Sequence, residues 1–484
     1  MRRHLRTALA TAAVGALTGG LLVAVAGPAA AASGLEGDFN GDGYQDVAVS
    51  APRASVNSRA NAGSVTVLYG SPSGAGATKI QTVSQNSAGV PGTAETGDGF
   101  GSHTTTGDFN GDGYADLAVG APGEDVGSDT DGGTAVILWG GSAGLSGGTT
   151  VSDPARSSHD RFGAPLAAGD YNGDGSDDLA IGSDQNTVDV YRGGFTKSGS
   201  TGGHYKVTTP VLKVKGSDIF NLTPGDVNKD GRTDLLVDGY EGEASGDYYF
   251  NANYYLPGSS SGVTTSGTRK LPAGIISDIG DVNNDGYGDI VIGNHWDASS
   301  DSPGASKGGA VQIVWGTSTG PTGGTSTVNQ NTAGVPGTSE TGDAFGWELS
   351  LGDINGDGHD DLAIGSPLED LNGVADAGMV SVVYGSPAGF LETGAQALAQ
   401  DTPGVPGGNE TGDGFGGEVL LTDTTGDGRA DLTVGQPWEN NSDGYTVSFV
   451  SDGSKIDTSG RGIGLTAAKV SASGTPLFGV QLAG

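Results

Sequence analysis

Residues 108–122 read Asp-Phe-Asn-Gly-Asp-Gly-Tyr-Ala-Asp-Leu-Ala-Val-Gly-Ala-Pro, and this stretch decides the fold. Its first nine residues follow the pattern Asp-x-Asn-x-Asp-Gly-x-x-Asp, which occurs seven times along the chain, with Thr425 in place of Asn in the last copy. The copies begin at Asp38, Asp108, Asp170, Asp226, Asp281, Asp353 and Asp423. A unit that recurs every 55 to 72 residues indicates a repeat architecture.

Each copy runs into a short apolar segment that favours a buried β-strand. In the copy quoted above, Leu117 and Val119 flank the small Ala118, and Gly120 ends the run. A second strand follows in most repeats, and we predict it at residues 64–69, 134–139, 310–315 and 379–384. No stretch has a convincing 3.6-residue apolar period. About four short strands in each of seven repeats predict an all-β fold, a seven-bladed β-propeller.

The two ends of the chain look like halves of one repeat. Phe478-Gly479 near the C-terminus copies the Phe162-Gly163 that precedes the third Asp loop, yet no Asp loop follows it. Conversely, the first Asp loop has no Phe-Gly before it. We therefore predict that the N- and C-termini share one blade and close the ring. The alternative is a linear solenoid, which would need polar caps at its ends and does not explain a split repeat.

The repeated Asp loops suit a hard cation. Oxygen-bearing side chains at positions 1, 3, 5 and 9, a variable residue at position 7 that would give its backbone carbonyl, and a turn-forming Gly at position 6 match the oxygen shell of Ca²⁺ better than that of Mg²⁺. The loops are not EF-hands, because position 12 is apolar in all seven copies. The alternative interpretation is a metal-free turn in which Asp side chains bond their own backbone. Seven copies with three carboxylates each favour calcium.

We therefore predict up to seven structural Ca²⁺ ions, whose removal by a chelator such as EGTA lowers the melting temperature. The predicted ligands are Asp38, Asn40, Asp42, Asp46, Asp108, Asn110, Asp112, Asp116, Asp170, Asn172, Asp174, Asp178, Asp226, Asn228, Asp230, Asp234, Asp281, Asn283, Asp285, Asp289, Asp353, Asn355, Asp357, Asp361, Asp423, Thr425, Asp427 and Asp431.

The N-terminus and the composition predict an exported protein. Arg2 and Arg3 make a basic start, residues 8–25 are small and apolar, and an Ala-rich segment offers a cleavage site, so residues 1–32 read as a signal peptide and residues 33–484 as the propeller. The general secretory and twin-arginine routes both remain open. We expect a secreted bacterial monomer with no membrane anchor.

A formal net charge of −35 excludes nucleic acid as a partner, since nucleic acid needs a basic surface.

The repeats resemble a known family. Phe-Gly, then the Asp loop, then Gly-Ala-Pro, as in Gly120-Ala121-Pro122, is similar to the FG-GAP repeat of integrin alpha propellers and their bacterial secreted relatives. The resemblance implies a seven-bladed propeller with calcium loops on one face, ligand contacts on the other, and a role in cell adhesion. Repeats 4 and 5 depart from it, since Asp218-Ile219 and Ala273-Gly274 stand in the place of Phe-Gly. Nothing in this sequence resembles the domains that follow the propeller in integrins, so we do not expect a heterodimeric receptor role.

Two tryptophans are the candidate ligand residues. Trp296 and Trp438 occupy the position after the Gly-x-Pro slot and have Asp, Asn or Glu beside them, a combination that can stack on a sugar ring and bond its hydroxyls. The alternative is that both pack on neighbouring blades. We found no nucleophile elbow and no assignable carboxylate pair. We therefore predict a non-enzymatic adhesion or recognition module for an extracellular protein or glycan. A carbohydrate-binding lectin and a polysaccharide hydrolase or lyase are the alternatives.

Overall fold

The computed structural model describes residues 35–212, 219–242, 249–297, 303–391 and 393–484, so the predicted signal peptide lies outside the described residues. The described chain forms seven four-stranded antiparallel sheets, which confirms the all-β, seven-bladed propeller. Its only helices are two four-residue pieces, α1 (Glu439–Ser442) and α2 (Leu465–Ala468).

The strands follow one another along the chain as units of four. The first fifteen are β1 (Val47–Ala51), β2 (Ser64–Leu68), β3 (Ile80–Val83), β4 (His103–Gly107), β5 (Asp116–Ala121), β6 (Thr134–Trp139), β7 (Ser146–Thr150), β8 (Leu166–Gly169), β9 (Asp178–Ile181), β10 (Thr187–Arg192), β11 (Gly203–Thr208), β12 (Ile219–Gly225), β13 (Asp234–Gly242), β14 (Tyr249–Leu256) and β15 (Arg269–Leu271). The remaining thirteen are β16 (Ile276–Gly280), β17 (Asp289–Asn294), β18 (Ala310–Val314), β19 (Thr325–Val328), β20 (Leu349–Gly352), β21 (Asp361–Ser366), β22 (Met379–Val383), β23 (Gln396–Leu398), β24 (Glu418–Thr422), β25 (Asp431–Gln436), β26 (Tyr445–Phe449), β27 (Arg461–Gly464) and β28 (Leu482–Ala483). The predicted second strands are confirmed, three of them ending one residue earlier than expected.

The ring closes through a blade built from both termini. Strand β28 pairs with β1 through Ala48↔Ala483 and Val49↔Leu482, and β2 and β3 complete this first blade. Blades 2 to 7 are β4–β7, β8–β11, β12–β15, β16–β19, β20–β23 and β24–β27. The innermost strands β28, β4, β8, β12, β16, β20 and β24 each contact the next around the ring, and β24 contacts β28. The shared blade is therefore confirmed, and a linear solenoid is excluded.

Packing between blades explains why the repeat needs Phe-Gly and a later Gly. The Phe of each Phe-Gly pair is fully buried, as at Phe162. The Gly101 N–H donates to the Gly120 carbonyl within blade 2 at 2.9 Å. Gly120 lies so close to blade 3 that a Cβ there would stand 2.0 Å from the Gly163 carbonyl oxygen. In six blades the apolar strand after the Asp loop is buried along its whole length, as expected for an element between two neighbours, whereas β13 of blade 4 is half-buried at Tyr240 and Glu241. The hydrophobic clusters bridge adjacent blades.

Candidate metal loops and ligand face

All seven Asp loops lie on one face of the propeller, because six of them join the innermost strand of their blade to the second strand and the first leads directly into β1, the second strand of blade 1. We call this the loop face. The opposite face, which we call the FG face, carries the Phe-Gly segments and the Gly-Ala-Pro connections. The structure thus places all 28 predicted metal ligands together on the loop face, and Trp296 and Trp438 on the other.

Within each loop, the first carboxylate organises the turn. Asp108 accepts the N–H of Gly111 through Oδ1 and the N–H of Gly113 through Oδ2, both at 2.8 Å. The bond to the Gly at position 6 recurs in all seven loops at 2.7 to 2.9 Å. The position-5 carboxylate accepts the N–H of position 7 in every copy, as Asp112 does from Tyr114. These bonds are those of the metal-free interpretation, and they leave further lone pairs on each carboxylate.

The ninth residue of each loop is a buried carboxyl group. Asp46, for example, is fully buried and accepts the N–H of Gly70 at 2.8 Å and of Phe39 at 3.0 Å. Its carboxylate therefore links the Asp loop to the turn that follows β2. The pKa of Asp46 is raised to about 8, chiefly by burial and also by the neighbouring carboxylates of Asp38 and Asp42, while the N–H groups of Gly70 and Phe39 partly offset this rise. Burial also raises the pKa in the other six copies, at Asp116, Asp178, Asp234, Asp289, Asp361 and Asp431.

The donor chemistry of the loops fits a hard cation, although their side chains do not converge. Three carboxylates and one amide or hydroxyl per loop are oxygen donors of the kind that Ca²⁺ takes. Oδ2 of Asp289 is buried and has no hydrogen-bond partner among the described residues. Across the described residues, however, no group of three or more His, Asp or Glu side chains is arranged closely enough to hold a metal ion. Calcium therefore stays a prediction.

Loops 4 and 7 each contain an arginine that forms an ion pair within the loop. The Arg232 guanidinium lies 3.1 Å from Oδ2 of Asp230, and Arg429 lies 2.9 Å from Oδ2 of Asp427, so each arginine pairs with the position-5 carboxylate of its own loop. In loop 4 the Tyr255 hydroxyl also donates to Oδ2 of Asp234 at 3.0 Å. These two loops are thus partly compensated by the protein itself.

On the FG face, the two predicted tryptophans belong to one row of aromatic rings. His295 packs on Trp296 with ring centroids 4.6 Å apart and stacks on Trp347 at 4.7 Å. Trp347 then meets the edge of Trp438 at 5.8 Å. We call these four residues, from blades 5, 6 and 7, the aromatic row. Trp296 is 39% exposed, and the other two indoles are half-buried.

Sequence reasoning missed the two central members of the row. Trp347 directly follows Phe345-Gly346 and looks like an ordinary repeat residue until the fold brings blades 5 to 7 together. Burial lowers the pKa of His295 to about 4, so its ring is neutral at physiological pH. The alternative interpretation, packing on a neighbouring blade, holds in part, because the Trp296 Nε1–H donates to Oδ1 of Asn251 in blade 4 at 2.9 Å and Trp438 packs against Trp347 of blade 6.

The acidic residues next to the row already form hydrogen bonds within the protein. Asp297 accepts backbone N–H groups from Gly308 at 3.3 Å and Gly342 at 2.8 Å, and Glu439 accepts the Gln400 side-chain amide at 2.9 Å. They hold the loops in place. The polar groups best placed to bond a ligand lie instead in the adjoining cavity.

This cavity has a volume of about 630 Å³ and opens at the FG end of the central channel. Its lining includes Glu348 and Glu418, which stand at equivalent places in blades 6 and 7, together with His103 and Arg53. The carboxyl groups of Glu348 and Glu418 bond to each other, and burial raises the pKa of both. Oε1 of Glu418 also accepts the Leu482 N–H at 3.0 Å, which joins blade 7 to the closing strand.

Comparison with known proteins agrees with the repeat. The FG-GAP repeat family matches residues 31–68, 100–138, 345–383 and 415–449, and an FG-GAP-like repeat family matches residues 170–237. The matched segments lie in blades 1, 2, 6 and 7 and in blades 3 and 4. Repeats 2, 6 and 7, the most typical by sequence, are thus among those recognised.

Curated relatives match over part of their length. Phosphatidylinositol-glycan-specific phospholipase D of Bos taurus is 37% identical over 30% of this chain and 17% of its own. Integrin alpha-3 of Cricetulus griseus is 32% identical over 32% of this chain and 13% of its own length. Integrin alpha-PS2 of Drosophila melanogaster is 29% identical over 46% of this chain and 16% of its own. The matched part of the chain therefore spans less than a fifth of each relative.

Among solved structures, one described as the structure of the Dos1 propeller aligns over 60% of this chain and 56% of its own, at 12% identity and a TM-score of 0.34. Within the described residues, no helix has the length and apolar character required to cross a membrane.

Proposed function

This chain is an integrin-like FG-GAP repeat propeller, and we propose that it works outside the cell as an adhesion or ligand-recognition module. Its ligand, an extracellular protein or glycan, binds the FG face at the aromatic row. The Asp loops on the opposite face bind up to seven structural Ca²⁺ ions. The module acts as a monomer and performs no catalysis of its own.

The aromatic row is the observation that carries this proposal. In the described chain Trp296 is the one exposed tryptophan, and it continues into two half-buried indoles that come from two further blades. Large aromatic side chains at a surface supply contact area at a small cost in conformational entropy, which is why binding sites are enriched in them. A row that crosses three blades is also rigid, because each ring is held by its neighbour.

Electrostatics support a calcium role for the loop face. Each loop holds a buried carboxyl group beside two further carboxylates, and a buried charge is costly unless a counter-charge or a proton compensates it. A Ca²⁺ ion bound by the residues at positions 1, 3, 5 and 9 would supply that counter-charge. The loops would then stiffen the seven inner strand ends without touching the ligand.

The similarity to phosphatidylinositol-glycan-specific phospholipase D does not carry over an activity. The match covers 17% of the bovine enzyme, and integrin alpha-3 matches a similar share of this chain. Fold similarity alone does not transfer chemistry. We therefore propose recognition, and not a transferred activity, for this propeller.

A pull-down from the culture of the producing organism tests the proposal. We expect immobilised protein to capture a ligand in calcium buffer, and the variant Trp296→Ala/Trp347→Ala to lose most of that capture. Trp315→Phe is the matched control, because Trp315 lies at a strand end of blade 5 and bonds Ser326 within its own blade. Equal capture by wild type and the double variant would exclude the aromatic row as the ligand site.

A further inference from the structure

We propose that the ligand of the FG face is a saccharide, whose rings stack on the aromatic row while its hydroxyl groups bond to Glu348 and Glu418 in the adjoining cavity. This inference rests on the proposed recognition function and specifies its ligand class. It assigns a binding role to Trp347, Glu348 and Glu418.

The row has the form that a sugar chain needs. The apolar C–H face of a pyranose packs on an indole ring, and successive rings of a chain need successive platforms. Trp296, Trp347 and Trp438 provide three indoles, with His295 filling the space between the first two.

The cavity supplies the polar half of the site. Glu348, which lines the cavity, directly follows Trp347 of the row in the chain, so consecutive residues of blade 6 belong to the two parts of the site. Because the two carboxyl groups bond to each other, one of them carries a proton. The pair therefore offers one O–H donor and several acceptor lone pairs, which is the combination that a sugar diol matches. The Gln481 side chain, whose Oε1 has no partner among the described residues, lines the same cavity.

Charge argues against the other ligand classes. Nucleic acid is repelled by a chain of net charge −35. A basic peptide would be favoured by two ionised carboxylates, but the shared proton leaves the pair with a single negative charge, and Arg53 lines the same cavity. A neutral, hydroxyl-rich ligand meets neither obstacle.

The test is a binding assay with defined oligosaccharides. The probes are cellohexaose, chitohexaose, xylohexaose, laminarihexaose and mannohexaose, each titrated into the full mature protein by isothermal titration calorimetry in calcium buffer. We expect at least one of them to bind. Trp347→Ala should weaken the binding of that probe about tenfold, because it removes the stacking and the buried area of one indole. A tenfold loss of affinity corresponds to about 1.4 kcal/mol. Glu418→Ala should weaken it several-fold, because it removes one carboxyl group of the pair.

Matched controls keep the result interpretable. Trp315→Phe and the exposed-surface variant Glu410→Gln should bind the probe as wild type does. Trp347→Phe keeps the packing of blades 5 to 7 if Trp347→Ala unfolds the protein, and it should retain an intermediate affinity. The assignment is overturned if a saccharide binds to Trp347→Ala and Trp347→Phe with the same affinity as to the wild-type protein.

The failure of this inference differs from the failure of the proposed function. If none of the probes binds, but a protein captured from culture depends on Trp296 and Trp347, the saccharide assignment is wrong and the recognition function stands. If neither a saccharide nor a protein binds the row, both are wrong.

Discussion

At the scale of single residues, the buried ninth carboxyl of each loop links stability to calcium and to pH. Without metal, burial raises the pKa of Asp116 to about 7 and of Asp361 to about 7, above the unfolded value of about 3.9. The folded state then binds more protons than the unfolded state between these values. The stability that these protonated carboxyl groups contribute is fully present below their pKa in the unfolded chain. It is lost as the pH rises through their pKa in the folded protein.

We therefore predict opposite pH dependences with and without calcium. In EGTA the melting temperature should fall as the pH rises from about 5 to 8, for the reason just given. In excess calcium it should fall as the pH decreases, because protons compete for ligands that must be ionised. At pH 8 calcium should raise the melting temperature by about 10 °C or more, if several sites are saturated. Scanning calorimetry in both buffers measures this. Superimposable curves would mean that the loops are metal-free turns.

At the scale of elements, the contact between Phe-Gly of one blade and Gly-Ala-Pro of the preceding blade is backbone on backbone. We predict that Gly120→Ala destabilises the protein by about 1 to 3 kcal/mol, because the new Cβ would stand 2.0 Å from the Gly163 carbonyl oxygen. Gly141→Ala is the control, since Gly141 has nothing within 4 Å of an added Cβ. Urea unfolding followed by tryptophan fluorescence gives both values. Equal midpoints for the two variants would refute this packing argument.

The loops themselves should differ in calcium affinity. Arg232 and Arg429 neutralise part of loops 4 and 7, and Tyr255 takes up an oxygen of Asp234 in loop 4. We predict five tighter sites and two weaker ones in a calcium titration by calorimetry. Arg232→Ala/Arg429→Ala should strengthen the two weak sites a few-fold, in line with the small worth of exposed ion pairs. Arg269→Ala, which removes an arginine away from the loops, should change nothing. Seven equivalent sites would contradict the prediction.

How far the sequence predicts the structure depends on the kind of signal. The Asp loops, the buried strands after them and the shared terminal blade follow from local, repeated patterns, and all three features are present. Trp347 carries no such pattern, because Trp follows Phe-Gly only once. Glu348 and Glu418 are 70 residues apart in the chain, and only the ring brings their carboxyl groups into contact. Sites assembled across blades depend on closure, which a single repeat does not encode.

At the scale of the whole molecule, the two faces divide the work. The repeated loop face is much the same in every blade and stabilises the ring, whereas the FG face varies between blades and carries the aromatic row in blades 5 to 7. Rigid scaffolds commonly carry their binding residues on such variable connections. The central claim is therefore that ligand binds the FG face and leaves the loop face free.

Hydrogen–deuterium exchange of the protein, alone and with its captured ligand, tests this claim most directly. We predict that ligand slows exchange in residues 294–297, 345–349 and 436–439, which carry the aromatic row and Glu348. Exchange in the seven Asp loops should stay unchanged at constant calcium. Protection confined to the Asp loops, with none on the FG face, would contradict the account.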